Sequence, residues 1–145
     1  MYQRILVPTD GSPISDKAVQ TAIAMAKLVG DAKLFTISVK EPFPYSAISE
    51  MQPVPPQAFY DAQQRLAADR VSAVVAAAKA QGMACEAHTV EASHPWEAIL
   101  DHAKRCACDL IVMASHGRRG IAALLLGSET QRVLIHSTLP VLIVK

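Results

Sequence analysis

Short apolar runs along the chain alternate with longer segments in which apolar residues recur every three or four positions. The runs predict five strands, because they are too short for helices and rich in β-branched residues. They lie at residues 4–8, 34–39, 84–90, 109–114 and 140–145. The third run is more polar than the others, which is typical of a strand at the edge of a sheet.

The segments between the runs predict four helices. Ser12 is the expected N-cap of the first helix, with Pro13 at its first helical position. The later helices are predicted at residues 59–81, from residue 94 and from residue 128. Five prolines with no apolar period between residues 41 and 57 predict a long irregular loop before the second helix.

This alternation of strands and helices predicts an α/β fold with three layers. Each parallel connection needs a crossover, so we expect a five-stranded parallel sheet with helices on both faces. We expect the first strand to be central, in the strand order 3-2-1-4-5, and residues 1–145 to form a single domain. Such sheets bind ligands beyond the carboxyl ends of the strands where the order reverses, which is between the first and fourth strands.

The composition of the chain limits the classes of binding partner that we expect. Lys and Arg number 14 against 13 Asp and Glu, so a formal net charge of +1 gives no broad attraction to nucleic acid or to an anionic membrane. Neither a signal peptide nor an apolar stretch of about 18 residues is present, so we expect a cytoplasmic protein with no membrane and no nucleic-acid partner. Three cysteines in such a chain predict reduced thiols.

Two loops at the predicted strand-order reversal contain residues suited to nucleotide binding. Residues 8–12 follow the first strand, and residues 113–120 follow the fourth. Gly117 and Gly120 allow the backbone to approach a ligand closely. The helix that begins within residues 127–131 offers free amides and a positive dipole end, which favour phosphate.

Each of these features also has an interpretation that needs no ligand. Ser128 and Gln131 have the spacing of a capping box. Arg118 and Arg119 are consistent with solvated loop charges, and Asp10 is consistent with a turn residue that starts a helix. Local sequence alone does not decide between these interpretations.

The wider spacing of the glycines matches a known motif. Nucleotide-binding universal stress proteins have a glycine, two residues, a second glycine, nine residues and then Gly-Ser or Gly-Thr. Here the second glycine is Gly117, the nine residues are 118–126, and Gly127 and Ser128 end the motif. The chain resembles this family over nearly its whole length, through residues 5–12, 109–117, 126–128 and 140–144. Ala114 replaces the first glycine, and we expect its methyl group, beside the ribose or phosphates, to do no more than weaken binding.

The resemblance implies an adenine-nucleotide alpha-hydrolase-like fold and membership of the ATP-binding-motif subgroup. It implies a stress-response regulatory protein that binds ATP. Because the glycine-containing loop near residues 116–127 has no evident general base, we predict a binding module whose nucleotide occupancy orders this loop and alters its surface for an unidentified protein partner. We expect Mg²⁺ to bridge the phosphates, as in other ATP sites.

Five of the implied site residues would surround the nucleoside: Pro8, Thr9, Asp10, Val39 and Met113. The others would surround the ribose and phosphates, mainly through main-chain amides. The implied nucleotide-binding residues are Pro8, Thr9, Asp10, Val39, Met113, Ala114, Gly117, Gly127, Ser128, Glu129 and Thr130.

The resemblance also implies a homodimer formed through the last strand, with Val141, Leu142, Ile143 and Val144 at the interface. An apolar edge strand independently favours pairing with another chain, because its backbone groups lack partners. Cover by a loop or a neighbouring helix is the alternative. A further alternative is a family member that binds no nucleotide and acts only through dimer and partner contacts.

Catalytic and metal-binding alternatives have weaker support. Ser115 follows a strand as an elbow nucleophile does, but Met113 stands where the Gly-x-Ser-x-Gly signature needs a glycine. His102 and Cys106 share a helical face near Cys108, but a second ligand pair at suitable spacing is missing, which favours ordinary buried thiols. We therefore expect no catalytic residue and no metal site, and at most slow ATP hydrolysis.

Overall fold

The computed structural model describes residues 1–43, 56–118 and 125–145. Most of the predicted proline-rich loop lies outside these residues. Within them, strands and helices alternate as the apolar pattern predicts. They are β1 (Arg4–Pro8), α1 (Pro13–Val29), β2 (Lys33–Lys40), α2 (Gln57–Ala80), β3 (Cys85–Glu91), α3 (Pro95–Arg105), β4 (Leu110–Ala114), α4 (Ser128–His136) and β5 (Val141–Val144).

The strands form one parallel sheet in the order β3-β2-β1-β4-β5, which confirms the predicted order. β1 is central: its Ile5 lies opposite Leu34 of β2 and Leu110 of β4. The polar third strand is at one edge, as its composition indicates, and β5 is at the other. The strand order therefore reverses between β1 and β4, and the loops that follow these two strands leave the same end of the sheet.

Helices cover both faces because successive strand residues point to opposite sides of the sheet. On one face, Ile5 and Val7 pack with α1 and with Val74 of α2. On the other, Leu6 and Phe35 pack with α3 and α4. All of these side chains are at most 3% exposed, and full burial of a side chain of this kind stabilises the fold by about 1.5–3 kcal/mol.

The helix starts decide where the loops at the carboxyl end of the sheet lie. Ser12 is the N-cap of α1, its hydroxyl accepts a hydrogen bond from Ser15 N, and Pro13 is the first helical residue, as predicted. The predicted capping box of α4 is wrong, because Gly127 is the N-cap and Ser128 is already helical. The Gln131 side chain instead donates to the Leu126 carbonyl at 3.2 Å.

Candidate functional site

Two loops meet beyond the carboxyl ends of β1 and β4: the β1 loop, residues 9–12, and the β4 loop, of which residues 115–118 and 125–127 are described. Asp10 and Arg118 join them. Arg118 donates its main-chain N–H to Asp10 Oδ2 at 2.7 Å and its Nε–H to the Asp10 carbonyl at 2.8 Å. The structure thus brings Asp10 and the segment after β4 into direct contact. We name the region at the carboxyl ends of β1 and β4 the β1–β4 crevice.

The β1 loop is shaped by its own side chains. Asp10 Oδ1 accepts from Ser12 N at 2.9 Å, so Asp10 is a turn residue as well as a crevice residue. Thr9 is 6% exposed, and its hydroxyl oxygen accepts from Gly11 N and from the Ser15 hydroxyl. The Thr9 side chain therefore helps to hold the loop, and the Thr9 main-chain N–H is engaged as well, because it donates to the Ile37 carbonyl at 2.9 Å.

The two motif glycines pack against each other. A Cβ atom on Gly117 would lie 3.0 Å from Asp10 Oδ2, and one on Gly127 would lie 3.8 Å from Gly117 N. Gly127 N also donates to the Ser115 carbonyl at 2.7 Å. This hydrogen bond brings the end of the β4 loop back beside its beginning. Gly117 and Gly127 therefore lie close together although they are ten residues apart in the sequence.

The start of α4 is open at the crevice. Its N-cap, Gly127, has no side chain, and no side-chain hydrogen bond caps the helix. The first amides of an α-helix have no partner within the helix, and they carry the positive end of its dipole. The Ser128 side chain is exposed. This arrangement suits an anion such as phosphate.

The next two predicted site residues use their side chains for the fold. Thr130, 2% exposed, donates its hydroxyl to the Ala114 carbonyl at 2.9 Å. Glu129 accepts from Trp96 N at 2.9 Å, and so caps α3, whose N-cap His94 makes no side-chain cap hydrogen bond. Their main-chain amides remain the groups that a phosphate could use.

The predicted nucleoside residues lie at the same end of the sheet. Met113 is 9% exposed and Val39 is half-buried, and both pack on the face covered by α3 and α4. Pro8 is the last residue of β1 and pairs with Ile37 of β2. Ala114 differs from the expectation: its methyl group packs in the core on the α1 face rather than into the crevice. The reason is strand alternation, which turns adjacent side chains to opposite faces.

A family model for the universal stress protein family matches residues 1–145. The chain belongs to the universal stress protein family. Universal stress protein MJ0531 of Methanocaldococcus jannaschii is 30% identical to it over 148 residues, which cover 100% of this chain and 83% of the relative.

Solved structures of other proteins have the same fold. Protein MJ0577, also from Methanocaldococcus jannaschii, has a TM-score of 0.84 and 26% identity, over 100% of this chain and 96% of that one. A universal stress protein solved in complex with cAMP has a TM-score of 0.69 and 29% identity, over 99% of this chain and 97% of that one.

In this universal stress protein, Arg70 of α2 also reaches the β1 loop, and the sequence analysis missed it. Its Cγ would lie 3.1 Å from a Cβ atom on Gly11, and Arg118 Nη2 would lie 3.2 Å from the same point. Burial, and next the nearby Arg118, lower the pKa of Arg70, whereas Asp10 and Glu41 raise it. No local signal in the sequence marks Arg70, because the β1 loop lies about 60 residues earlier in the chain.

The hydrolase alternative has no geometric support in this universal stress protein. Ser115 is 2% exposed, and its hydroxyl lies 3.0 Å from Nδ1 of the next residue, His116. An elbow nucleophile is instead exposed at the end of its strand.

The thiols of this universal stress protein are poorly suited to be ligands. His102 Nε2 lies 3.6 Å from Cys106 Sγ, but within the described ranges no group of three or more His, Cys, Asp or Glu residues is arranged to hold a metal ion. Burial raises the pKa of Cys85 to about 11 and that of Cys108 to about 12, so both thiols are protonated at neutral pH.

Among the helices of residues 1–43, 56–118 and 125–145, none is long and apolar enough to cross a membrane.

Proposed function

We propose that this universal stress protein binds ATP in the β1–β4 crevice and acts as a nucleotide-dependent regulatory module in the stress response. The observation that carries the proposal is the uncapped start of α4 beside Asp10 and Gly117. Such a helix start favours phosphate. The similar universal stress protein that was solved with cAMP supports an adenine nucleotide as the ligand class.

The described groups divide between the parts of the nucleotide. Main-chain groups of Val39 would face the adenine edge, with Pro8 and Met113 packing nearby. Each carboxylate oxygen of Asp10 accepts one hydrogen bond in the loops and keeps a further lone pair, which could accept from a ribose hydroxyl. The amides of Ser128, Glu129 and Thr130 would bind the phosphates, as the motif implies.

Ala114 does not weaken this proposal. Its methyl group is in the core, and its carbonyl accepts from Thr130, so no side-chain atom of Ala114 needs to be accommodated by the ligand. Mg²⁺ is part of the proposal as an ion held by phosphate oxygens and water. The amides of α4 and the Arg118 side chain are donors, which suit the phosphates and not a cation.

A substitution at the first residue of α4 tests the proposal. Ser128→Pro removes one amide donor but suits the first position of a helix, and Gly127, with φ −67° and ψ 158°, already has the conformation that precedes proline. We expect ATP affinity, measured by calorimetry, to fall about tenfold, the effect of one lost charge-assisted hydrogen bond. Ser128→Ala, which keeps the amide, is the matched control and should change affinity less than about threefold.

Two results would refute the proposal. One is a wild-type protein that binds no ATP, AMP or cAMP at millimolar concentration. The other is a folded Ser128→Pro variant that binds ATP as tightly as the Ser128→Ala control.

The regulatory part of the proposal depends on Arg118. Because Arg118 links the β4 loop to Asp10, a nucleotide that contacts either residue would change how the loops meet. An altered loop surface would then be recognised by a protein partner. The existence of that partner and the cytoplasmic location remain predictions from the sequence.

We also propose a homodimer through β5. This strand is at the sheet edge, Leu142 is 36% exposed, and Ile135, near the end of α4, is 74% exposed. An apolar edge with unpaired backbone groups favours a second copy of the chain. Sedimentation analysis should give a dimer for the wild type and a monomer for Leu142→Lys. A monomeric wild type at micromolar concentration would contradict the dimer.

A further inference from the structure

Two arginine side chains from distant parts of the chain converge on Gly11. Arg70 comes from the middle of α2, and Arg118 comes from the β4 loop. A Cβ atom on Gly11 would lie 3.1 Å from Arg70 Cγ and 3.2 Å from Arg118 Nη2, and Gly11 has a φ of +74°. Burial, and then the positive charge of Arg118, lower the pKa of Arg70, and an anion beside the pair would offset this repulsion between like charges.

Arg70 has a buried donor that the fold leaves unused. Its Nε atom is buried and has no hydrogen-bond partner among the residues that the structure describes. Asp10 is nearby, but its Oδ1 accepts from Ser12 N and its Oδ2 from Arg118 N, and neither oxygen accepts from Arg70 Nε. A buried N–H group of a cation is costly without an acceptor, so a ligand with an acceptor atom at this position would be favoured.

The arginine pair is continuous with the start of α4. Gly127 packs against Gly117, Gly117 packs against Asp10 Oδ2, and Asp10 is hydrogen-bonded to Arg118. Arg118 and Arg70 then lie against Gly11. The start of α4 and the two arginines are therefore parts of one crevice.

We propose that Arg70 and Arg118 bind the β- and γ-phosphates of the nucleotide, so that this protein distinguishes ATP from AMP. The inference rests on the proposed function, which supplies the nucleotide. The planar guanidinium groups present paired donors that match phosphate oxygens. The terminal phosphates provide the acceptor that Arg70 Nε lacks, and their negative charge offsets the repulsion between the two arginines. To bind a phosphate, the Arg118 guanidinium group exchanges its hydrogen bond to the Asp10 carbonyl for one to a phosphate oxygen.

The test compares ATP and AMP binding by calorimetry in the full chain and in Arg70 variants. In Arg70→Gln we expect ATP affinity to fall about tenfold, while AMP affinity changes less than about twofold, because AMP lacks the phosphates that Arg70 contacts. Arg70→Lys keeps the charge without the paired donors, so its ATP affinity should lie between those of the wild type and Arg70→Gln. Arg65→Gln, an exposed arginine of the same helix, is the matched control and should leave both affinities unchanged.

The outcomes separate this inference from the proposed function. If wild-type protein binds AMP as tightly as ATP, or if Arg70→Gln weakens both nucleotides equally, the arginine pair does not recognise the terminal phosphates and the inference is wrong. The proposed function would survive either result. Absence of binding of every adenine nucleotide to wild-type protein would overturn both. Thermal denaturation of each variant shows whether it is folded. If Arg70→Gln does not fold, the same comparison of ATP and AMP affinity is made with Arg70→Lys.

Discussion

Thr130→Val separates a structural role of the α4 start from a binding role. The substitution replaces a hydroxyl by a methyl group and leaves the main-chain amide of residue 130 unchanged. The hydroxyl is buried and donates to the Ala114 carbonyl at 2.9 Å, joining the first turn of α4 to the end of β4. We therefore expect Thr130→Val to reduce stability while the folded protein keeps its affinity for nucleotide.

The size of the effect follows from this contact. Removing the donor loses the net hydrogen bond and leaves a buried carbonyl short of a partner, which together cost about 1–3 kcal/mol in the free energy of unfolding. For a chain of this size, each kcal/mol lowers Tm by about 4 °C. The Thr21 hydroxyl makes a hydrogen bond of the same length, 2.9 Å, to the Lys17 carbonyl, but it is exposed on α1. Thr21→Val should therefore cost less than about 0.5 kcal/mol.

Thermal and urea denaturation measure the stability of both variants, and calorimetry with ATP at a temperature where both are folded measures binding. The reasoning is refuted if Thr130→Val and Thr21→Val have the same Tm. A loss of ATP affinity of tenfold in folded Thr130→Val would instead assign the hydroxyl to the ligand.

Other changes address the loops, the histidine and the thiols. Gly117→Ala should lower stability by about 1 kcal/mol or less and should weaken ATP binding, because its Cβ would lie 3.0 Å from Asp10 Oδ2; denaturation and calorimetry check both. Burial lowers the pKa of His102, so the unfolded chain binds that proton more tightly, and the free energy of unfolding should decrease as pH falls below 6.5, less so in His102→Gln. Cys85 and Cys108, with pKa values of about 11 and about 12, should react slowly with a thiol reagent at pH 8 and much faster in denaturant.

Much of the fold was predictable because the signals are local. The Ser12-Pro13 pair sets the start of α1 through one side-chain oxygen and one ring, both of which act within a turn of the helix. The apolar runs predict strands in the same way, because burial on both faces of a parallel sheet removes the need for polar alternation. The polar character of β3 likewise indicated an edge strand.

At the candidate site, the roles of individual side chains could not be predicted from local spacing. Ser128 and Gln131 have the spacing of a capping box, but Gln131 N donates the first helical hydrogen bond to the Gly127 carbonyl, so Gly127 is the N-cap. The resemblance gave Glu129 a role mainly through its main-chain amide, and only the structure shows that its carboxylate caps α3 at Trp96.

The sequence by itself determined the five strands, the four helices and the parallel arrangement of the sheet. Hydrophobic period and caps act over short separations, and each parallel connection requires a crossover. Only the tertiary structure decided which atoms of those loops remain available. It turned the Ala114 methyl group into the core, engaged the Thr130 and Glu129 side chains elsewhere, and brought Arg70 beside Gly11. Those outcomes depend on which distant groups meet after packing, and no local pattern encodes such a meeting.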